Sequence, residues 1–335
     1  MRAVRLCLLS LSALLIGSVG VPVQRLDGFN VIASPGHDFG STSAEQSLRA
    51  AKALGAGTVA IIPFLWQSTP ASAEIARGSD MPDDILRLAI RQAHALGLRV
   101  IVKPHVWVSE SWAGAVQPSA PEAWRTWFAS YRHEIERIAR VAAEEKAAAL
   151  VLGTELSKTI QRPEWRTVIA AARAVFPGML LYVAHNADEA EGVPFWNELD
   201  MIGVSLYPPL GDDDDRAGRL GIMRASIDRL EAISARLGKP ILVGEIGVRS
   251  AKGAAAKPWE SAEERAAAPD PQLQANVIAD WMTAVDRPAV RGVLVWRWFT
   301  DPYAGGGGDT DFTVQGKPAE RVLLCAWTSA CPAAN

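Results

Sequence analysis

Residues 149–155 read Ala-Leu-Val-Leu-Gly-Thr-Glu, a short apolar run that closes on a carboxylate, and the stretches on either side of it decide the fold. Upstream, Pro121 to Lys146 repeats its apolar residues at helical spacing. Downstream, Pro163 to Phe176 does so again and leads into another apolar run, Leu180 to Val183. A short run without polar alternation has both faces covered, and the flanking helices supply the cover. The unit therefore reads as strand, crossover helix, parallel strand.

The same pattern recurs outward in both directions. Eight apolar runs stand out: Gly28 to Ile32, Thr58 to Phe64, Arg99 to Lys103, Ala149 to Gly153, Leu180 to Val183, Met201 to Ser205, Ile241 to Gly244 and Gly292 to Trp296. Further helical patterns lie at Ala44 to Leu54, Pro82 to Leu96, Arg216 to Leu237 and Pro271 to Val285. Proline opens and glycine closes several of them, as at Pro82 and Gly97 or Pro163 and Gly178. Eight strand–helix units predict a single (β/α)8 TIM barrel over residues 21–335. A doubly wound sheet would carry a phosphate-binding glycine turn after its first strand, and Ile32-Ala-Ser-Pro-Gly-His does not spell one. Two stretches, Ser250 to Pro271 and Gly305 to Gly308, look mobile and would lie on the active face of such a barrel, as substrate-contacting loops or as merely disordered ones.

With 335 residues, 49% hydrophobic and 21% charged, the chain has the makings of a packed core rather than of a disordered polymer. A net charge of −3 and the lack of a basic cluster exclude a nucleic-acid partner, which needs phosphate-neutralising Lys and Arg on one face. Residues 1–20 read as an export signal, with Arg2 and Arg5 ahead of an apolar stretch from Leu6 to Ile16 and small residues Ser18 and Gly20 at the cleavage position. The stretch is short of the ~20 apolar residues that span a bilayer. A secreted or periplasmic monomer with no membrane insertion after signal removal is expected. Cys7 leaves with the signal, and Cys325 and Cys331 remain as either a small disulfide loop or two free buried thiols.

Side chains at the C-terminal ends of barrel strands converge on one opening. By run, these are His37, then Trp66, then Lys103, His105 and Trp107, then Glu155, then His185 and Asn186, then Tyr207, then Glu245, and last Trp296 and Trp298. Glu155 and Glu245 fall three strands apart and face each other across the cavity. Paired carboxylates in that relation divide the acid and base work of glycosidic hydrolysis, retaining at about 5 Å separation and inverting at roughly 6.5–9.5 Å. Sequence spacing does not choose between these, and either glutamate is otherwise a strand-end carboxylate paired with a neighbouring cation. Tyr207 stands one strand before Glu245, suited to donate to it or to pack as a core aromatic. Lys103 and His105 share strand parity and are expected to face the pocket.

Twelve tryptophans against four tyrosines is a skew that suits sugar stacking. Trp66, Trp107, Trp112, Trp296 and Trp298 sit at or beyond strand ends as platforms, while Trp124, Trp127, Trp165 and Trp281 fall within helices and read as packing. Other chemistries lack their residues. His133-Glu134 has Arg137 where a zinc helix needs a second histidine, and Gly203-Val-Ser-Leu-Tyr lacks the last glycine of a nucleophile elbow. The run Asp212 to Asp215 lacks calcium-loop spacing. No metal site is expected.

Gly-Thr-Glu-Leu-Ser around Glu155, Gly-Glu-Ile-Gly-Val-Arg-Ser around Glu245, Val-Lys-Pro-His-Val after the third run and Asp-Phe-Thr-Val-Gln-Gly-Lys-Pro-Ala from Asp311 together resemble glycoside hydrolase family 113, of clan A. The resemblance implies a (β/α)8 barrel that acts as a retaining β-mannanase on a β-linked glycan, with no metal or organic cofactor. It implies Glu155 as acid/base and Glu245 as nucleophile. Many clan A enzymes have Asn before the acid/base where this chain has Thr154, which leaves Asn186 or His105 as contacts for the sugar 2-hydroxyl. With them, Trp66, Lys103, Trp107, Tyr207, Trp296 and Trp298 are the expected substrate-binding residues. A glycan-binding barrel without catalysis and a transglycosylase remodelling bacterial exopolysaccharide are the rival expectations.

Overall fold

The structure is a computed structural model and describes residues 25–328, 330 and 331; the segment read as an export signal, with Cys7, lies outside the described residues. In chain order the elements are β1 (Gly28–Ile32), α1 (Thr42–Ala53), β2 (Thr58–Ile61), β3 (Phe64–Gln67), β4 (Ala76–Arg77), α2 (Asp83–Ala95), β5 (Arg99–Val102) and β6 (His105–Val108). They continue with α3 (Pro121–Glu144), β7 (Ala149–Thr154), α4 (Trp165–Val175), β8 (Met179–His185), α5 (Asn186–Gly192), β9 (Met201–Leu206) and α6 (Arg216–Leu237). The last are β10 (Ile241–Ile246), α7 (Pro271–Ala284), β11 (Val290–Phe299) and α8 (Ala319–Trp327).

Strands β1, β2, β5, β7, β8, β9, β10 and β11 close on themselves as a parallel barrel ringed by helices, the predicted (β/α)8 fold. Alternation along each strand separates two cores. Inward residues such as Ala60, Ile101, Val151, Val183, Leu242 and Leu294 fill the lumen. Outward ones, Phe29, Val59, Val100 and Leu150 among them, pack beneath the helices. That inner layer aims the site, because two-residue steps from Ile101 and Val183 arrive at Lys103 and His185 on the same inward side.

The predicted run Thr58 to Phe64 is split between β2 and the start of β3, and the run Arg99 to Lys103, which forms β5, is followed at once by a further strand, β6. Pro63 and Pro104 cannot donate to a ladder, so the barrel strands β2 and β5 stop short of them. The chain then starts again as β3 and β6, which pair in parallel, with β4 antiparallel on the outer edge of β3. This accessory sheet stands above the barrel rim.

Of the two loops expected to be mobile, Ser250 to Pro271 is tied to the residues just beyond Gly305 to Gly308. Arg249, fully buried, donates to the carbonyls of Thr310, Ser261 and Arg265, and Ser250 Oγ donates to Asp309 O. Lys317 Nζ bonds both Ser250 Oγ and Asp309. Cys325 and Cys331 form a disulfide, with 4.4 Å between their Cα atoms. No described helix is long and apolar enough to cross a membrane.

Candidate active site

Glu245 lies near the end of β10, and a register irregularity puts it in the opening. Counting inward positions Leu242 and Gly244 would turn the next residue away, but the pairing with β9 skips from Val243 to Glu245 and brings the carboxylate inward one residue early. There it is nearly out of water. Oε1 takes the Lys103 ammonium and lies 3.2 Å from His105 Nε2, while Oε2 accepts from Tyr207 Oη at 3.0 Å. Burial alone would raise its pKa; the Lys103 charge and the hydrogen bonds from His105 and Lys103 outweigh burial and hold it at about 2. The group is a carboxylate at any ordinary pH.

Its partners are tuned by the same burial. Desolvation pulls Lys103 below its ordinary value while the Glu245 charge opposes the fall. Burial and the Lys103 charge lower His105, so its imidazole is neutral. His105 Nε2 is also 2.8 Å from Lys103 Nζ, so one nitrogen either accepts from the ammonium or donates to Glu245. Burial and the nearby Glu245 charge push the Tyr207 hydroxyl well up, which keeps it a proton donor.

Glu155 follows β7 in a left-handed turn, φ 55°, fixed by its own N–H on Val183 O at 2.8 Å. Its Oε1 is 3.0 Å from His185 Nδ1. Asn186, also left-handed at φ 57°, accepts the Tyr207 N–H on Oδ1 at 2.8 Å and therefore presents its amide N–H to His185 Nε2 at 3.0 Å. In the neutral ring this puts the proton on Nδ1, facing Glu155. Burial lowers the His185 pKa, but the hydrogen bond and charge of Glu155 win, and the net shift is upward. Beneath them Glu189 fixes the turn, accepting from His185 N, Ser157 Oγ and Tyr182 Oη.

The structure brings Lys103, His105, Glu155, Tyr207, Glu245 and Trp296 together. Trp296 stacks on His105, centroids 5.3 Å apart and 13° between planes, with Lys103 Nζ 5.6 Å from its centre. Trp66 and Trp107 stand on the accessory sheet, 43% and 51% exposed. Asn186 is at the site but as the support of His185 and the Tyr207 backbone. His37 lies 3.7 Å from Asp301 and meets neither glutamate.

Trp298 is corrected: it is a core residue. The β1 ladder passes from Trp296 directly to Trp298, leaving Arg297 as an extra residue that reverses the alternation. Trp298 is thereby turned outward, 4.7 Å from the Phe29 ring and donating to Ser47 Oγ of α1. The extra residue is itself placed near the site. Arg297 pairs with Asp311 and lies over the rings of Trp296 and Phe299. Neither Arg297 nor Phe64 was singled out from sequence. The alternation Phe64-Leu-Trp-Gln and His105-Val-Trp-Val, each straight after a proline, is the signal for the second strands that carry Phe64. Among the described residues no group of three His, Cys, Asp or Glu is disposed to hold a metal ion.

The sequence model of glycoside hydrolase family 113 matches residues 28–317. Among solved structures, a family 113 β-1,4-mannanase is 28% identical with a TM-score of 0.81, over 91% of this chain and 99% of that one. The family 113 β-mannanase of Alicyclobacillus acidocaldarius, in complex with ManMIm, is 26% identical with a TM-score of 0.82, over 93% and 99%. The β-glucuronidase of Ruminococcus gnavus shares the fold, with 15% identity and a TM-score of 0.60, over 91% of this chain and 50% of that one. A search of curated proteins returned no match.

Proposed function

The chain belongs to glycoside hydrolase family 113 and is a glycoside hydrolase, and from that premise we propose that it is an exported retaining β-mannanase working by double displacement. The observation that carries the mechanism is the grip on Glu245. A nucleophile must be ionised and aimed, and Lys103 with Tyr207 does both by bonding opposite oxygens. Glu155 is the acid/base. With Oε1 accepting from His185 Nδ1, the proton of the neutral acid is confined to Oε2, the oxygen left for the leaving group.

In the first step a Glu245 oxygen forms a bond to the anomeric carbon as the glycosidic C–O bond breaks, and the Glu155 proton passes to the departing oxygen. In the second, water attacks that carbon, gives its proton to Glu155 and releases Glu245. His185 hydrogen-bonds Glu155 through both steps, so the charge that appears on Glu155 after proton donation meets a donor already in place.

Mannan as substrate is supported by the two family 113 neighbours, which are β-mannanases. Export is supported by the charged and apolar pattern of residues 1–20 and by the Cys325–Cys331 disulfide, a bond that persists in oxidising compartments.

The test is incubation with β-linked polysaccharides, β-mannan included, with products followed by mass. Release of manno-oligosaccharides is the expected result. Cleavage of another glycan but not mannan would discard the sugar and keep the mechanism. Glu155→Ala and Glu245→Ala should each abolish turnover, and full activity in either sinks the residue assignment. Net transfer to an added sugar acceptor in place of release would move the reading to a transglycosylase.

A further inference from the structure

Five rings make an unbroken aromatic line from the catalytic centre across the accessory sheet to Trp66 on its middle strand, β3. Alternation puts Phe64 and Trp66 of β3 on the same face as His105 and Trp107 of β6, and the register sets Phe64 opposite His105 and Trp66 opposite Trp107. Centroids step 5.3 Å from Trp296 to His105, 6.2 Å to Phe64, 6.1 Å to Trp107 and 5.9 Å to Trp66. The line starts on Glu245, which His105 touches, and ends half exposed to solvent.

A separate ring attends the other carboxylate. Trp112 is 5.0 Å from His185, the partner of Glu155, and the short helical turn Ala113–Ala115 after it packs on the turn Ser157–Thr159 that follows Glu155. Trp66 and Trp112 are both seated against glycine. A Cβ at Gly78 would lie 2.1 Å from Trp66 Nε1, and one at Gly114 would lie 2.2 Å from Trp112 Cη2.

In the displacement proposed above, on which this inference rests, the anomeric carbon lies at Glu245 and the departing oxygen at Glu155. The sugars retained on the enzyme therefore extend from the Glu245 side and the departing chain from the Glu155 side. We propose that Phe64, Trp107 and Trp66 form the glycone arm of an open cleft, holding the non-reducing part of a β-linked glycan, and that Trp112 is the first platform of the leaving-group arm. Ring faces that are apolar with a polar N–H edge suit a pyranose, whose C–H face stacks while its hydroxyls remain in water. Because the outer rings of the long arm stand in solvent, the arm accepts chains that run on past it.

The arms have opposite signatures. With mannohexaose tagged at its reducing end, product masses identify the bond cut. Trp66→Ala with Trp107→Ala should weaken the glycone arm, lower kcat/KM by about tenfold as for a lost aromatic anchor, and move the cut toward the non-reducing end. Trp112→Ala should move it toward the reducing end. Gly78→Ala and Gly114→Ala, which crowd the same rings without removing them, should each shift the cut in the direction of their ring. Loss of general integrity does not produce opposite shifts. An unchanged cut site, or the same direction in both sets, overturns the arms while leaving the hydrolase reading intact. If the wild type does not cleave mannohexaose and Glu245→Ala does not bind it by calorimetry, the mannan reading fails, and the occupant named here fails with it.

Discussion

Lys103 Nζ donates to Oε1 of Glu245, and the two side chains are 0% and 5% exposed, so a buried cation and a buried anion neutralise each other at the centre of the opening. Neither has enough water to remain charged comfortably alone. Lys103→Met keeps most of the volume and removes the charge, leaving the carboxylate unpaired, a change that costs about 3–5 kcal/mol in a buried pair. The sign with pH follows from the depressed pKa of Glu245, about 2 against an ordinary 4.5. Its stabilisation is present above pH 4.5 and lost as pH falls toward 2. In Lys103→Met the Glu245 pKa should rise, moving the acid limb of kcat/KM to higher pH and lowering Tm. An unmoved acid limb would contradict the role given to Lys103.

Tyr207 holds the other oxygen of the same carboxylate at 3.0 Å. Tyr207→Phe removes one hydrogen bond to a charged group, worth about 1.5–3 kcal/mol. We expect kcat to fall by about one to two orders of magnitude, with KM changing much less because the ring remains. Rapid-quench measurement of glycosyl-enzyme formation should show the loss in the first step. An unchanged rate of that step would mean that Lys103 alone aims Glu245.

Part of this was legible in sequence because the inward layer of a barrel is periodic along the regular part of each strand. Steps of two from buried Ile101 and Val183 reach Lys103 and His185, while Glu155, beyond a register shift between Val151 and Thr154, is read from its place at the strand end; strand counting alone gives the three-strand separation of Glu155 and Glu245. Where the period breaks, parity misleads, and Glu245 is found as a strand-end carboxylate rather than by parity. Trp296 and Trp298 have the same parity on paper, but the extra Arg297 sends them to opposite sides of the sheet. Asn186 was expected to touch sugar, yet its amide is committed to the Tyr207 backbone and to His185, which only the left-handed turn at residue 186 brings within reach. Hydrogen-bond partners of this kind depend on a few dihedral angles that no composition or spacing encodes.

His185 carries a second pH signature. Glu155 raises its pKa above the ordinary 6.5, so its favourable interaction is fully present below pH 6.5 and lost as pH climbs through the raised value. His185→Gln should therefore narrow the Tm gap to the wild type as pH rises from acid to alkaline. Tm measured across that range tests it, and a constant gap would show that His185 acts by packing alone.

The Cys325–Cys331 bridge ties down the end of α8, whose Trp327 meets the Phe29 ring edge-on at 5.1 Å. α8 is only nine residues long, too short to hold its shape without tertiary support. Closing so small a loop is worth about 2 kcal/mol in the chain-entropy account, roughly a 4 °C change in Tm for a domain of this size. Reduction, or Cys331→Ser, should lower Tm by about that amount, while kcat at 25 °C stays unchanged, because the bridge lies on the outer helical layer and touches no residue of the opening. If reduction leaves Tm where it was, the last turn of α8 is held by Trp327 packing rather than by the cross-link, and the bridge would no longer account for order at that end of the barrel.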